Sequence, residues 1–342
     1  MKSLRNFSWI VLINIFLVII AGSVVRMTGS GMGCPDWPKC FGHYIPPTSI
    51  EELTWEQGKS FDKNQMVIMN ESLWTANEDL VAQQEFNNKN WTKYTKHDYA
   101  KFNVYHTWTE YINRLFGALL GVFALIVIVL AANKFRTNKW FLWLALIQLF
   151  LVLFQAWLGK LTVDTNLNPY MITYHMMGVV VMIVVQLVLI KLVNSKVNNP
   201  EGDKVLTSKI KGVSLLGVGL MIVQIVLGTQ VRQQTDTMTK AGVPRELIAD
   251  GFDWVFFVHR SFSFLIIFAC VFLFIKLRKL QEMKAPLRFL IIFTILEVIA
   301  GMVLYYLGMK PFAQPIHLLF SLLMYAFFVE LFIRMIPRLS LR

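Results

Sequence analysis

The sequence predicts an all-α membrane protein: eight transmembrane helices arranged as two pseudo-symmetric four-helix bundles, with both termini cytoplasmic. Three observations carry this expectation. The 342-residue chain is 56% hydrophobic and only 16% charged. It contains eight apolar runs, at 7–25, 111–132, 140–159, 171–194, 212–231, 254–275, 287–307 and 316–336, each close to the about 20 residues that span a bilayer. Threading the runs alternately puts the basic clusters on one side: Lys2 and Arg5, Lys134 to Lys139, Lys191 to Lys211, Lys276 to Arg288, and Arg334 to Arg342. Acidic residues such as Glu51, Glu56, Asp62, Glu78 and Glu85 fall on the other, so the positive-inside rule makes the basic side cytoplasmic. The net charge of +12 therefore orients the protein and requires no nucleic-acid partner.

The third observation is an internal repeat. Gly22 to Arg26 matches Gly228 to Arg232, and Asn113-Arg114 matches His259-Arg260. Gln155, Gly159 and His175 match Glu297, Gly301 and His317 with the same spacings, the histidine standing 16 residues after the glycine in both. Two halves of parallel orientation follow, related by an axis along the membrane normal. The N-terminal half is residues 1–195 with a long outer loop at 27–105, the cytoplasmic linker is 196–211, and the C-terminal half is 212–342.

Taken in order, the first run ends at Ala21-Gly-Ser23 and is followed at once by Arg26, which favours a retained helix over a cleaved signal. Gly and Pro crowd the segment from Gly29 to Pro38, which marks tight turns. Cys34 and Cys40 lie on the outer side, where oxidation is permitted; a strained or exposed disulfide there would be redox-active. The middle of the loop, Trp55 to Asn90, is polar and is expected to include short surface helices. His43 and His97 are expected to be solvated. Helix two opens with His106, Glu110, Asn113 and Arg114. Helix three ends at Gln155 and Gly159, and helix four begins at Tyr174-His175. Helix five is expected to end between Arg232 and Thr235. Helices six to eight carry His259, Glu297 and His317, and Cys270 reads as a small packing residue.

His259 and His317 are 58 residues apart, each just inside an apolar run. Ionisable side chains at that depth are costly and mark functional sites. Side chains on facing helices build cofactor sites in bundle cores, and two neutral imidazoles suit an axially ligated haem, whereas zinc asks for three or four ligands. Glu297 is a weak third ligand. Arg26, Arg114, Arg232 and Arg260 stand near the outer helix ends, placed either to pair with haem propionates or to snorkel to head groups. In the first half Asn113 replaces the expected histidine, leaving His175 as the evident ligand. His106 lies about two turns, or about 10 Å, above Asn113 and reaches a haem only if its segment folds over the pocket. Glu110 between them is placed to act as a general base or position a water, or to favour the helix start.

These residues closely resemble the haem A synthase family over the whole chain. The resemblance is carried by Arg26 to Pro38 with its glycines and Cys34, by Glu110-Tyr-Ile-Asn113-Arg114, Tyr174-His175, Phe257-Val-His259-Arg260 and Ile316-His317. It implies haem b as cofactor, ligated by His259 and His317 with Arg232 and Arg260 alongside. It implies a substrate haem O in the first half, near His106, Asn113, His175, Arg26 and Arg114, whose C8 methyl is oxidised to a formyl group with Glu110 taking part. Cys34 and Cys40 are implied as a redox or haem-transfer pair. The chain departs from the family at Asn113, where histidine is usual, in a longer first outer loop, and in lacking a second cysteine pair around Gln233–Asp250. Expected partners are haem O, a haem O synthase, membrane lipid and an electron acceptor that the residues do not identify; association into a homo-oligomer is left open. The expected location is the inner (cytoplasmic) membrane, with both haem sites toward the outer leaflet. The alternatives are a non-enzymatic b-type haem electron carrier and a haem-delivery factor for oxidase assembly.

Overall fold

The computed structural model describes residues 1–95, 102–165, 167–197 and 208–336. His97, most of the linker, Lys204, Arg338 and Arg342 lie outside them. Eight helices are long and apolar enough to cross a membrane: α1 (Lys2–Met27), α2 (Val104–Ala132), α3 (Trp140–Asp164), α4 (Pro169–Val197), α5 (Ser208–Lys240), α6 (Trp254–Leu277), α7 (Lys284–Tyr306) and α8 (Ala313–Met335). Each run named from the sequence falls in its own helix, the last two overrunning the ends of α7 and α8 by one residue.

Helix α1 packs on α2 and α4, and α3 packs on both α2 and α4; α5 packs on α6 and α8, and α7 on both α6 and α8. Further contacts join α4 to α8, α1 to α8 and α4 to α5. The central position of α8 follows from its sequence. Leu322, Tyr325, Phe328, Val329 and Leu331 are all buried, and a helix apolar on every side belongs in the middle of a bundle. Close approach of α5 to α8 depends on Gly217, where a Cβ would stand 2.3 Å from the Phe328 ring. Polar bonds tie the helices as well: Gln186 Nε2 donates to Ser8 O at 2.6 Å.

Two expectations are corrected. The middle of the outer loop does not form surface helices; it folds into five short strands. Strands β2 (Met66–Met69), β3 (Ser72–Ala76) and β5 (Trp91–Lys93) form an antiparallel sheet, and β1 (Ser60–Phe61) pairs with β4 (Leu80–Val81). Helical structure there is confined to a single 3-10 turn at Asn88–Asn90. The deciding local signal is Asn70-Glu71 between Met-Val-Ile-Met and Ser-Leu-Trp-Thr-Ala. Both turn residues have positive φ, 48° and 56°, as a two-residue hairpin turn of the primed type requires. Trp55, Phe61, Phe86 and Trp91 then meet edge-to-face around a small aromatic core.

Helix α5 is also longer than its apolar run. It continues to Lys240, about 50 Å in all, well beyond the about 30 Å of a hydrocarbon layer. The polar final turns, Gln233 to Lys240, keep helical hydrogen bonding outside the apolar span. Asp236, which matters below, lies on this extension.

Candidate functional site

His259 sits in the second turn of α6, whose start is fixed by Asp253: its Oδ1 accepts from the Val255 N–H at 2.8 Å, as an N-cap should. His317 sits in the second turn of α8. The two rings are 6.4 Å apart between centroids, inclined at 76°. Metal–imidazole bonds are about 2 Å, and each ring centre lies about 1.1 Å behind its nitrogen, so a metal shared by two imidazoles separates the centres by about 6.3 Å. The pair fits one haem iron between them.

Each ring leans on a glycine of the preceding helix. A Cβ at Gly228 would lie 3.3 Å from His259 Cε1, and one at Gly301 would lie 3.4 Å from His317 Cε1. The first half repeats the contacts. Gly22 faces Asn113 Oδ1 at 3.6 Å, and Gly159 faces His175 Cε1 at 4.0 Å. The glycines picked out by the repeat are thus the seats of the four candidate residues. Asn113 Oδ1 and Nδ1 of His175 and His259 are buried without hydrogen-bond partners. Between α3 and α4 runs an apolar groove of about 480 Å³ lined by Phe154, Trp157, Tyr174 and Gly178 among others; His175 follows Tyr174 in sequence but does not line it.

Glu110 is almost fully buried, at 4% exposure, and both its oxygens are engaged. Oε2 accepts from the Cys34 N–H at 2.9 Å and Oε1 from Arg114 Nη2 at 2.5 Å. Arg114 Nη1 also donates to the carbonyls of Asp36 and Lys39, at 3.0 and 2.8 Å. Thr107 Oγ1 donates to Gly33 O at 2.8 Å. A Cβ at Gly33 would strike the His106 carbonyl at 2.3 Å, so only glycine lets this loop lie on the first turn of α2. Cys34 and Cys40 are joined in a disulfide and buried. The segment between them is thereby fastened over the outer end of α2. The His106 imidazole makes no hydrogen bond among the described residues, and its backbone N–H is capped by Asn103 Oδ1.

Around that loop, burial dominates the ionisation of three groups. Asp36 is pushed above the usual carboxylate range by desolvation, partly offset by the Gly42 N–H it accepts and by Arg114. Tyr94, whose hydroxyl donates to Pro35 O at 2.6 Å, is raised to about 12, mainly by burial. His43 is not freely solvated: desolvation lowers it below its ordinary value despite Glu52 and Asp36 nearby, and its backbone pairs with Cys40.

Arg26 and Arg232 come together from the two halves. Arg26 Nη2 pairs with Asp236 Oδ2, and Arg232 Nε lies 2.9 Å from Asp236 Oδ1. Arg260 differs. It is exposed, its guanidinium stacks over Phe256 and Phe257 at 5.8 and 5.5 Å, and it has no ion pair among the described residues.

A family model for COX15-CtaA, described as cytochrome oxidase assembly protein, matches residues 5–329. The chain belongs to that family. It is 28% identical over 169 residues to a heme A synthase of Shewanella oneidensis, covering 49% of this chain and 39% of that protein. It is 23% identical over 190 residues to a heme A synthase of Bartonella tribocorum, covering 53% and 46%. A heme A synthase of Bacillus licheniformis is 32% identical over 76 residues, 22% of this chain and 25% of that protein. The matched segments span less than half the length of these curated relatives.

The site also contains polar groups that sequence reasoning passed over or weighed lightly. Asp236 was missed, although its place four residues after Arg232 is an ion-pair spacing; its reach to Arg26, 210 positions away, is tertiary. Glu297, noted only as a weak third ligand, places Oε2 3.2 Å from His317 Nδ1.

Proposed function

We propose that the chain is a haem A synthase, oxidising the C8 methyl of haem O to a formyl group by successive hydroxylations. The observation that carries this reading is the seating of His259 and His317 on Gly228 and Gly301, with ring centres 6.4 Å apart as one shared iron requires. Those two residues would hold haem b, which when bound supplies one-electron relay toward an acceptor. Arg260 offers a free guanidinium to a propionate, and Arg232 keeps donors beyond Asp236 for the same purpose.

In this reading the first half, residues 1–195, takes the substrate. His175 is the ligand that half retains, Asn113 faces the same space with its unpartnered Oδ1, and the groove between α3 and α4, lined by the neighbouring Tyr174, gives an apolar substituent a place. His106, Arg26 and Arg114 border the outer end. Glu110 would serve the oxidation by holding a proton or a water near the substrate methyl and by keeping the Cys34–Cys40 loop closed over α2. The two halves act as pseudo-symmetric units, one for cofactor and one for substrate. The distribution of basic residues supports a topology with both termini on the cytoplasmic side of the inner membrane and both haem sites toward the outer leaflet. Haem O synthase is the natural donor of so apolar a substrate.

Co-expression with a haem O synthase, followed by haem extraction, tests the activity. Hydroxymethyl- and formyl-haem are expected; accumulation of haem O alone would sink the reading. A second reading is favoured by one fact, that both oxygens of Glu110 are taken by Arg114 and Cys34. A haem-delivery factor would need Glu110 only as a fastening, and Glu110→Gln would then leave oxidase assembly unchanged.

A further inference from the structure

We propose that Glu297 is a positioning residue for His317 that lowers the reduction potential of the haem in the second half, and that its counterpart Gln155 withholds this charge from the first. The inference rests on the reading that His259 and His317 hold haem b, and it deepens that reading.

Glu297 projects from α7 toward α8. Its side chain is largely enclosed, at 17% exposure, and Oε2 stands 3.2 Å from His317 Nδ1. That contact is on the ring nitrogen next to the edge seated on Gly301, so it leaves Nε2 for the iron. Oε2 and Nδ1 are both buried and neither has a hydrogen-bond partner elsewhere or across this contact, so the approach is electrostatic as it stands. A carboxylate at the second nitrogen of a metal-bound histidine fixes its tautomer and orientation and raises its basicity. In an interior of low dielectric the added negative charge favours the oxidised, more positive iron.

The first half contains the same position with the charge removed. Gln155 stands to His175 as Glu297 stands to His317, yet its amide lies against Gly178 instead, where a Cβ would fall 1.6 Å from Nε2. Neither amide atom has a hydrogen-bond partner. The residue that corresponds to Gly178 in the second half is Phe320. A glycine opens a recess into which Gln155 turns; in the second half the equivalent position carries Phe320, whose ring lies 5.7 Å from that of Phe293, and Glu297 stands at its histidine. Two substitutions in the repeat, Gln for Glu and Gly for Phe, thus make the same electrostatic distinction between the halves.

Potentiometric titration of the purified full-length protein with its haem bound reads the effect. In Glu297→Gln the ratio of reduced to oxidised haem at a fixed potential should rise about tenfold, which is 59 mV for a one-electron couple. Glu297→Asp should stay close to wild type, and Gln155→Glu should not move the haem b potential. A full haem complement with unchanged potential in Glu297→Gln overturns this inference while leaving the haem assignment intact. An equal shift in Gln155→Glu also overturns it, since the effect would then be a general field. Should Glu297→Gln lose haem, retention in Glu297→Asp upholds the carboxylate's hold on His317, and loss from both variants overturns it. Absence of haem from the wild-type protein removes the reading on which the inference rests.

Discussion

Glu110 Oε2 and the backbone N–H of Cys34 are 2.9 Å apart, and through that bond α2 holds the disulfide loop in place. Removing the carboxylate orphans both the Cys34 N–H and one face of the Arg114 guanidinium in a buried setting. Hydrogen bonds to charged groups are worth about 1.5–3 kcal/mol, so Glu110→Ala should lower the thermal midpoint and open the loop to reductant. Glu110→Gln keeps an acceptor for Cys34. It should keep the loop closed yet lose haem O conversion if proton handling matters. Alkylation of Cys34 and Cys40 under graded reductant separates the two effects.

The glycine seats give a graded series. Gly217→Ala puts a Cβ 2.3 Å from a fully buried phenylalanine ring, and overpacking of that kind costs about 1–3 kcal/mol; general destabilisation should follow. Gly228→Ala and Gly301→Ala meet only an imidazole edge, at 3.3 and 3.4 Å. They should spare the fold and reduce haem b occupancy. Gly159→Ala, at 4.0 Å from His175, should be the mildest. Haem-to-protein ratios that rank these variants in another order would contradict the seating.

The sequence made the membrane helices legible because each is an apolar run of spanning length bounded by charge, and the runs that open at Trp140 and Trp254 start at the same residues as α3 and α6. The paired placement of His259 and His317 was legible because ionisable side chains are rare at that depth. The glycines showed as repeat landmarks, but their task, a flat seat for an imidazole, needs two helices in contact to be seen. The sheet of the outer loop was lost because a polar, aromatic-dotted stretch has weak alternation, and the Asn70-Glu71 turn was the one strong local signal. Asp236 was lost because α5 was expected to stop near the end of its apolar run. Tertiary reach explains the rest: nothing within the sequence around Arg26 points to a carboxylate on another half.

That carboxylate makes a prediction of its own. Asp236 accepts from Arg26 of α1 and faces Arg232 of α5, so it neutralises one of two guanidinium groups brought together at the outer ends. A double-mutant cycle between Arg26→Ala and Asp236→Ala should show coupling of about 1 kcal/mol, reduced by salt because all three side chains are partly exposed. Independent behaviour of the two sites would mean that the ion pair does not join α1 to α5.

The loop should also respond to pH, with two groups acting in opposite directions. His43 is depressed below 6.5 by desolvation, so the closed loop binds fewer protons than the open one there. Its contribution is present above 6.5 and is lost as pH falls through the lowered value. Asp36 is raised above 3.8 by burial, so its contribution is present at low pH and is lost as pH rises through the raised value. Protection of the Cys34 to Gly42 segment from hydrogen exchange should therefore pass through a minimum between these windows, where both contributions are lost. His43→Asn should remove the loss of protection that begins below 6.5, and an unaltered loss in that variant would show that another group controls it.

The histidines themselves give the sharpest division of labour. The His259 and His317 ring centres are 6.4 Å apart, so a haem held by the pair would lose one of its two imidazoles when either is removed. His175 has only Asn113 across from it in the repeat, and an amide is a poor iron ligand beside an imidazole. His259→Ala and His317→Ala should therefore each strip the stably bound haem b, visible as loss of a low-spin spectrum. His175→Ala should keep that spectrum and lose haem O conversion. Because the seats are built alike, both outcomes cannot be explained by general misfolding of one half. If His175→Ala strips haem b while His317→Ala retains it, cofactor and substrate belong in the opposite halves.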